Sequence, residues 1–294
     1  MAWLNRLVIL AVALLASGTA RAVDYDAACL AAEDLQAAFG EAYPHGAETL
    51  AVLEAARDHG GDAASARLAR EALLDNPLLD FGRLLVIRRS VKHLGLVANW
   101  ESNSSLPMSG FDNELMLLDV RPDGALRPLY RPEKDVFLGD VDLHFDADRL
   151  LFSMPGANGR WQLHELALAD KTVRELPLIR EPDVDNYDAC YLPDGNLLFT
   201  STAPFVGVPC VTGSSHVSNI YRFDRDTGAI RRLTFEQDHD WCPTVLNNGR
   251  VLYLRWEYSD IPHFASRILF HMNADGTVQM EYYGGNSYWP NALV

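Results

Sequence analysis

The feature that most narrows what this chain can fold into is a hairpin frame that returns at near-constant spacing. Its clearest copy runs from Asp185 to Ser201: an apolar segment ending in Tyr191-Leu192, the turn Pro193-Asp194-Gly195, and a second apolar segment from Leu197 to Ser201. Proline presets φ and Asp-Gly tolerates turn conformations that strands cannot, so the segment reads as two antiparallel strands. Residues 219–224, a turn at Asp226-Thr227-Gly228 and residues 230–235 extend it to a four-stranded meander. Downstream the frame returns from Asp240 through the turn Asn247-Asn248-Gly249 to Tyr282. Upstream it runs from Asp140 through a turn at 146–148 to Leu176. Phe199 and Tyr253 are 54 residues apart, and Phe152 and Phe199 are 47 apart. A looser copy covers Arg83 to Pro132, with Leu115 to Asp119 as its third strand. Repeats of this length, each worth four strands, predict an all-β chain. The architecture expected is a β-propeller of about four blades plus the start of a fifth, preceded by a short α-helical N-terminal segment.

Composition divides the chain ahead of those repeats. Residues 1–22 carry Arg6, an apolar run from Leu7 to Ala16 and the small-x-small signal Ala20-Arg21-Ala22, which together read as a secretory signal peptide. The run is too short to span a membrane. Residues 23–76 are rich in Ala, Leu and Glu at helical spacing, broken at Tyr43-Pro44 and Gly60-Gly61, and predict two or three short helices ending before Pro77. Residues 77–294 form the propeller. Its last stretch, Trp289-Pro290, echoes Trp241-Cys242-Pro243 and reads as the opening of another unit, so a domain truncated at its C-terminus is expected. A formal charge of −15, which becomes −17 once Arg6 and Arg21 are removed, argues against nucleic acid or an anionic membrane as partner. The mature chain is expected to be periplasmic or secreted, where Cys29, Cys190, Cys210 and Cys242 are permitted to pair. Their connectivity stays open: a Cys190–Cys210 bond is the shortest propeller option, and a free or metal-bound Cys242 competes with it.

Three insertions fall between second and third strands: residues 99–107, which include the glycosylation pattern Asn103-Ser104-Ser105, residues 207–218, and residues 258–265. Equivalent placement predicts that they cluster on one face as a binding rim. The first strand of each blade lines the centre of a propeller. Treating the turn of the upstream copy as the shorter one places Asp142, Asp188 and Cys242 at one level and His144, Cys190 and Thr244 two residues on, on the same face. Two readings stand beside each other. Asp142, His144, Asp188, Cys190 and Cys242 have the ligand types of a divalent-metal site; alternatively, the aspartates brace neighbouring blades by accepting backbone N–H bonds. His239, Asp240, Asp185 and Asp140 lie just ahead of those strands, as solvated loop residues or an acid-base set. His263 is the most exposed histidine candidate. The chain holds no Gly-x-Ser-x-Gly elbow, no phosphate-cradling glycine loop and no Cys-x-x-Cys-His, so no covalent c-type haem is expected within it.

Five peptides carry a family resemblance: Asn103-Ser104-Ser105-Leu106-Pro107, Gly139 to Phe145, Asp183 to Gly195, Gly207-Val208-Pro209-Cys210, and Asp238 to Arg250. The chain resembles planctomycete-type secreted proteins related to the hydrazine synthase alpha subunit, in its middle propeller domain, from about Asn76 onward. The Pro-Asp-Gly hairpin followed by an aromatic strand is more loosely similar to TolB-type propellers. The resemblance implies a propeller in a redox context, with other exported proteins or subunits of a redox-type assembly as partners. The repeats, the signal peptide and the lack of a complete catalytic set predict a binding or scaffold module without chemistry of its own; the alternative that the resemblance implies is part of a haem-dependent oxidoreductase whose haem-binding segments lie beyond residue 294.

The export signal makes a direct prediction. N-terminal sequencing of the protein purified from a secreting host should read Val23 as the first residue; a chain beginning at Met1 would remove the expectation of export.

Overall fold

The computed structural model describes residues 23–79, 81–95, 97, 102–120, 124–208, 215–258 and 266–285. The expected signal peptide, the expected opening of a fifth unit, Cys210 and His263 lie outside them. By its contacts the chain divides into two compact units. One runs to Val86 and takes in Leu115–Pro128; the other takes Ile87–Glu114 and the chain from Leu129 on.

The first unit carries three helices, α1 (Tyr25–Phe39), α2 (Gly46–His59) and α3 (Ala63–Leu74). Asp24 caps α1 by accepting from the Ala27 amide at 3.0 Å, and Gly40 ends it at φ 51°. Asp62 and Ser65 form a reciprocal capping box at the start of α3. Ala28, Cys29, Ala32, Leu53, Ala69 and Ala72 bury one face of each helix in a shared small-residue core. None of the described helices is long and apolar enough to cross a membrane.

The β-strands form one three-stranded and three four-stranded antiparallel sheets, each a meander. The first comprises β1 (Arg83–Arg89), β2 (Asn113–Asp119) and β3 (Leu126–Tyr130). The second comprises β4 (Gly139–Leu143), β5 (Arg149–Pro155), β6 (Trp161–Ala167) and β7 (Val173–Glu175). The third holds β8 (Asn186–Tyr191), β9 (Leu197–Ser201), β10 (Asn219–Phe223) and β11 (Ile230–Arg232). The fourth holds β12 (His239–Val245), β13 (Val251–Trp256), β14 (Ile268–Met272) and β15 (Met280–Tyr283). This is the propeller expected from the repeats, with three strands rather than four described in its loosest copy.

The hairpin turns obey the sequence. Gly195 (φ 85°) and Gly249 (φ 78°) take the left-handed position, and the next amide ladder closes from Leu192 to Asn196 and from Leu246 to Arg250. In the second sheet Ala147 occupies that position at φ 51°, and the closing bond runs from His144 to Arg149. The turn is therefore one residue longer than its counterparts, not shorter.

The second and third sheets are covered on both faces, which explains why their central strands read as continuous apolar runs. Along β8 and β9, Ala189, Tyr191, Leu197 and Phe199 pack toward the second sheet with Leu151, Leu163 and Leu176. Cys190, Leu192 and Leu198 alternate to the other side and meet Val251, Tyr253 and Met272 of the fourth sheet. The inner strand β8 packs against both β4 and β12.

An ion cluster ties the second and third sheets at their turn end. Glu165, in β6, accepts from Arg225 at 2.5 Å, from Arg174 at 2.5 Å and from the Tyr191 hydroxyl at 3.0 Å. Burial alone would raise the Glu165 carboxyl; the two guanidinium hydrogen bonds outweigh it and hold it at about 2. Because its folded pKa lies below the unfolded value, the stabilisation is full above about pH 4.5 and is lost as pH falls toward 2. Glu165→Ala should destabilise the chain by about 3 kcal/mol at pH 7, the low end for a broken buried pair because Arg174 is largely solvated. Urea unfolding at pH 7 and pH 3 should show the difference shrinking at the acid end.

Candidate functional site

At the inner edge, the first strand of each of sheets two, three and four breaks register with its neighbour. The breaks lie between Gly139 and Asp142, between Tyr187 and Ala189, and between Trp241 and Thr244. In each break stands a non-glycine residue at positive φ: Asp140 (49°), Asp188 (50°) and Cys242 (55°). A bulge with a left-handed residue re-aims one side chain out of the pleat, and Asp accepts that backbone more readily than most residues. The pairings Asp142↔Leu151, Cys190↔Leu198 and Thr244↔Leu252 then fix the true equivalence. Asp140, Asp188 and Cys242 share one level, and Asp142, Cys190 and Thr244 share the next. The expected alignment of Asp142 with Asp188 and Cys242 is therefore corrected by two residues, and the cause is the longer turn at His144 to Arg149.

The aspartates reach from sheet to sheet. Asp188 accepts the Cys242 amide at 2.8 Å, and Asp142 accepts the Tyr191 amide at 2.9 Å. The Asp188 amide donates to the Ser153 hydroxyl oxygen at 2.8 Å, and that hydroxyl lies beside the Asp140 carboxyl. Asn103 donates to Asp140 at 2.5 Å and is itself buried, so its glycosylation pattern is inaccessible in the folded chain. Burial raises Asp140, against the Ser153 and Asn103 hydrogen bonds and the Arg89 charge. Burial and the neighbouring Asp140 charge push Asp188 up to about 7. Burial also lifts the Cys190 thiol well above its ordinary range, reinforced by the Asp142 and Asp188 charges, so it is held as a thiol.

His144 lies elsewhere. Its Nε2 faces a guanidinium nitrogen of Arg149 at 2.6 Å, which can only donate, and its ring packs edge-on against Tyr191 at 4.8 Å, among the ion pairs of the turn end. Cys190 is unbridged and faces the apolar core between sheets three and four, so the Cys190–Cys210 option is not realised. Cys242 is also a free thiol, and it is exposed. Among the described residues no group of three or more His, Cys, Asp or Glu side chains is arranged to hold a metal ion.

A second polar cluster, at the end of the sheets that carries the insertions, gave only scattered signals in the sequence. Asp185 accepts from the Trp161 amide at 3.1 Å, from Arg160 at 3.0 Å and from the Ser104 hydroxyl at 3.1 Å, joining three sheets. The Ser218 amide donates to Nδ1 of His239 at 3.1 Å, and the Ser218 hydroxyl lies at the same distance. Nδ1 thus accepts, and both residues are fully buried, which denies the pair the substrate access a nucleophile and base require. Burial pushes Asp240 up to about 6 against the Arg255 guanidinium, which donates to it at 2.8 Å. Trp256 stacks on His239 (5.8 Å) and on Tyr258 (5.7 Å), with the Arg267 guanidinium 4.5 Å from its ring. Asp185 and the residues 238–240 are thus structural parts of this end rather than solvated loop residues.

No known protein family and no curated protein matches the chain. Among solved structures, Kuenenia stuttgartiensis hydrazine synthase is similar at 12% identity with a TM-score of 0.55, over 69% of this chain and 32% of that one. TolB from Acinetobacter baumannii is similar at 19% identity and a TM-score of 0.43, over 57% of this chain and 37% of that one. The propeller domain of the Trilobed protease from Pyrococcus furiosus is similar at 16% identity and a TM-score of 0.41, over 72% of this chain and 52% of that one. The chain spans about a third of the length of the first two. At these identities the likeness is one of fold, a β-propeller.

The inner-edge aspartates predict an unusual pH response. With a folded pKa near 7 against 3.8 unfolded, Asp188 binds its proton more tightly in the folded chain, so its penalty grows between about pH 4 and pH 7 and is full above it. Asp188→Asn cannot ionise yet keeps an acceptor for the Cys242 amide. Its melting temperature should exceed wild type at pH 8, by about 1–2 kcal/mol in stability, and converge with it near pH 4.

Proposed function

We propose that this chain is an exported β-propeller module that binds other exported proteins or subunits of a redox-type assembly and performs no chemistry by itself. The observation that carries this reading is the end of the sheets bearing the insertions. There the connections β1 to β2 and β9 to β10 converge on Asp185 and His239 through Ser104 and Ser218. The connections at this end also carry exposed apolar residues: Phe205 (63% exposed) and Val206 (43%) between β9 and β10, and Phe235 (72%) between β11 and β12. A scaffolded rim with solvent-facing aromatics suits protein recognition, in which a few such anchors dominate.

The competing reading is a subunit of a haem-dependent oxidoreductase. It draws on the likeness to hydrazine synthase, which reaches the fold and no further. The two readings separate on purified material. Affinity capture from the exported fraction of the source cells should return a stoichiometric protein partner with the wild-type chain, and one weakened about tenfold or more for Phe205→Ala with Phe235→Ala. A haem Soret band in the captured chain would favour the oxidoreductase, and a partner retained equally by the double variant would overturn the rim as the binding surface.

A further inference from the structure

Asparagine precedes glycine twice in the sequence, and both times arginine follows. Asn158-Gly159-Arg160 joins β5 to β6, and Asn248-Gly249-Arg250 joins β12 to β13. The two turns are built alike. In each the glycine takes the left-handed position (φ 73° and 78°), and its amide donates to a carbonyl of the same turn, Gly156 at 3.0 Å and Leu246 at 2.8 Å. In each the asparagine is exposed, and its Oδ1 accepts the amide of the arginine, at 3.1 Å for Arg160 and 3.0 Å for Arg250.

This arrangement suits attack of the glycine nitrogen on the neighbouring side-chain amide. Glycine has no Cβ to obstruct the approach. The arginine N–H already stands at Oδ1, where negative charge develops once the amide carbon is attacked, so it serves as a preset oxyanion donor. We propose that Asn158 and Asn248 are sites of spontaneous self-modification, each converting through a cyclic succinimide to aspartate or isoaspartate. The glycine nitrogen gives up its proton and bonds to Cγ of the asparagine. The Cγ–Nδ2 bond breaks, and the side-chain nitrogen leaves with that proton as ammonia. Water then opens the ring at one of its two carbonyls. No electrons are exchanged, and water is the sole co-reactant. The glycine N–H must first leave the carbonyl of Gly156 or Leu246, so opening of the turn paces the reaction.

The modification reaches beyond the turns through the arginines. Isoaspartate adds a carbon to the main chain, and either product replaces a neutral amide by a carboxylate, so the arginine that follows is displaced. Arg160 donates to the Asp183 carbonyl at 3.1 Å and to the Asp185 carboxylate at 3.0 Å, which ties the β5–β6 turn to the connection ahead of β8. Arg250 donates to Nδ1 of His271, to Asn273 and to the Val278 carbonyl, each at 2.8 Å, which ties its turn to β14 and the connection that follows it. Conversion at Asn158 therefore loosens the second sheet from the third, and conversion at Asn248 loosens the outer part of the fourth.

Peptide mass spectrometry of the full chain, held folded in mildly alkaline buffer for several days, tests this. The Asn158 and Asn248 peptides should each lose ammonia and gain water, and an isoaspartyl methyltransferase should label both. The Oδ1 of Asn196 also accepts a backbone amide, from Arg225 at 3.0 Å, but Leu197 follows it, so it should convert about tenfold more slowly or less. The melting temperature of the aged wild type should fall. That of Asn158→Gln combined with Asn248→Gln, whose longer side chains close the ring poorly, should hold over the same period. Either asparagine unchanged in the folded chain would overturn the proposal at that turn. Asn196 converting as fast would remove the part given to the glycine turns, and an aged double variant that loses as much stability as the aged wild type would remove the part given to the arginines.

Discussion

Everything in the sheet region depends on the packing of each sheet's apolar face against the sheet next to it. A single antiparallel meander of four short strands cannot bury enough apolar surface to hold itself together, so each must lend one alternate set of side chains to the sheet before it and the other to the sheet after it. Tyr191 and Phe199 serve the first purpose in the third sheet, and Cys190 and Leu198 the second. The polar features are placed on the frame that this packing creates, at its inner edge and at its two ends.

The inner edge shows how polar groups are accommodated where three first strands crowd together. The bulges at Asp140, Asp188 and Cys242 take these residues out of ladder register, and the carboxylates of Asp142 and Asp188 accept amides of the next sheet. Such a bond stabilises by about 1 kcal/mol. Burial, with the neighbouring Asp140 charge behind it, costs some of that back and pushes Asp188 up to about 7. The turn end solves the opposite problem: Glu165 is compensated by two guanidinium groups and stays ionised. Equal chemistry, a buried carboxyl, thus titrates at opposite ends of the range because its partners are an amide and another acid in one case and cations in the other.

Much of this was legible in the residues. The Pro-Asp-Gly and Asn-Asn-Gly turns, the apolar strand runs and the repeat spacing specify the meanders, because turn φ values and side-chain alternation are local constraints. The helices between Tyr25 and Leu74 were equally readable, from Ala, Leu and Glu at helical spacing and the breaks at Tyr43-Pro44 and Gly60-Gly61. The candidate site was legible in part: Asp142, Asp188 and Cys242 do stand on adjacent first strands. Their common level was misplaced because the turn from His144 to Arg149 is one residue longer than its counterparts, and Ala147 fills a left-handed position where glycine would have announced it. His144 was drawn into the group by that same slip.

The sequence by itself determined the sheets, their order and the alternation that buries both faces, since these follow from periodicity and turn chemistry within a few dozen residues. Only the tertiary structure decided which side chains meet. Asp185 finds Ser104, 81 residues away, and Glu165 finds Arg225, 60 residues away, because the stacking of successive sheets brings the same ends of different repeats together. No local pattern encodes those distances. They are set by how much each sheet twists and bulges as its apolar face seeks the next.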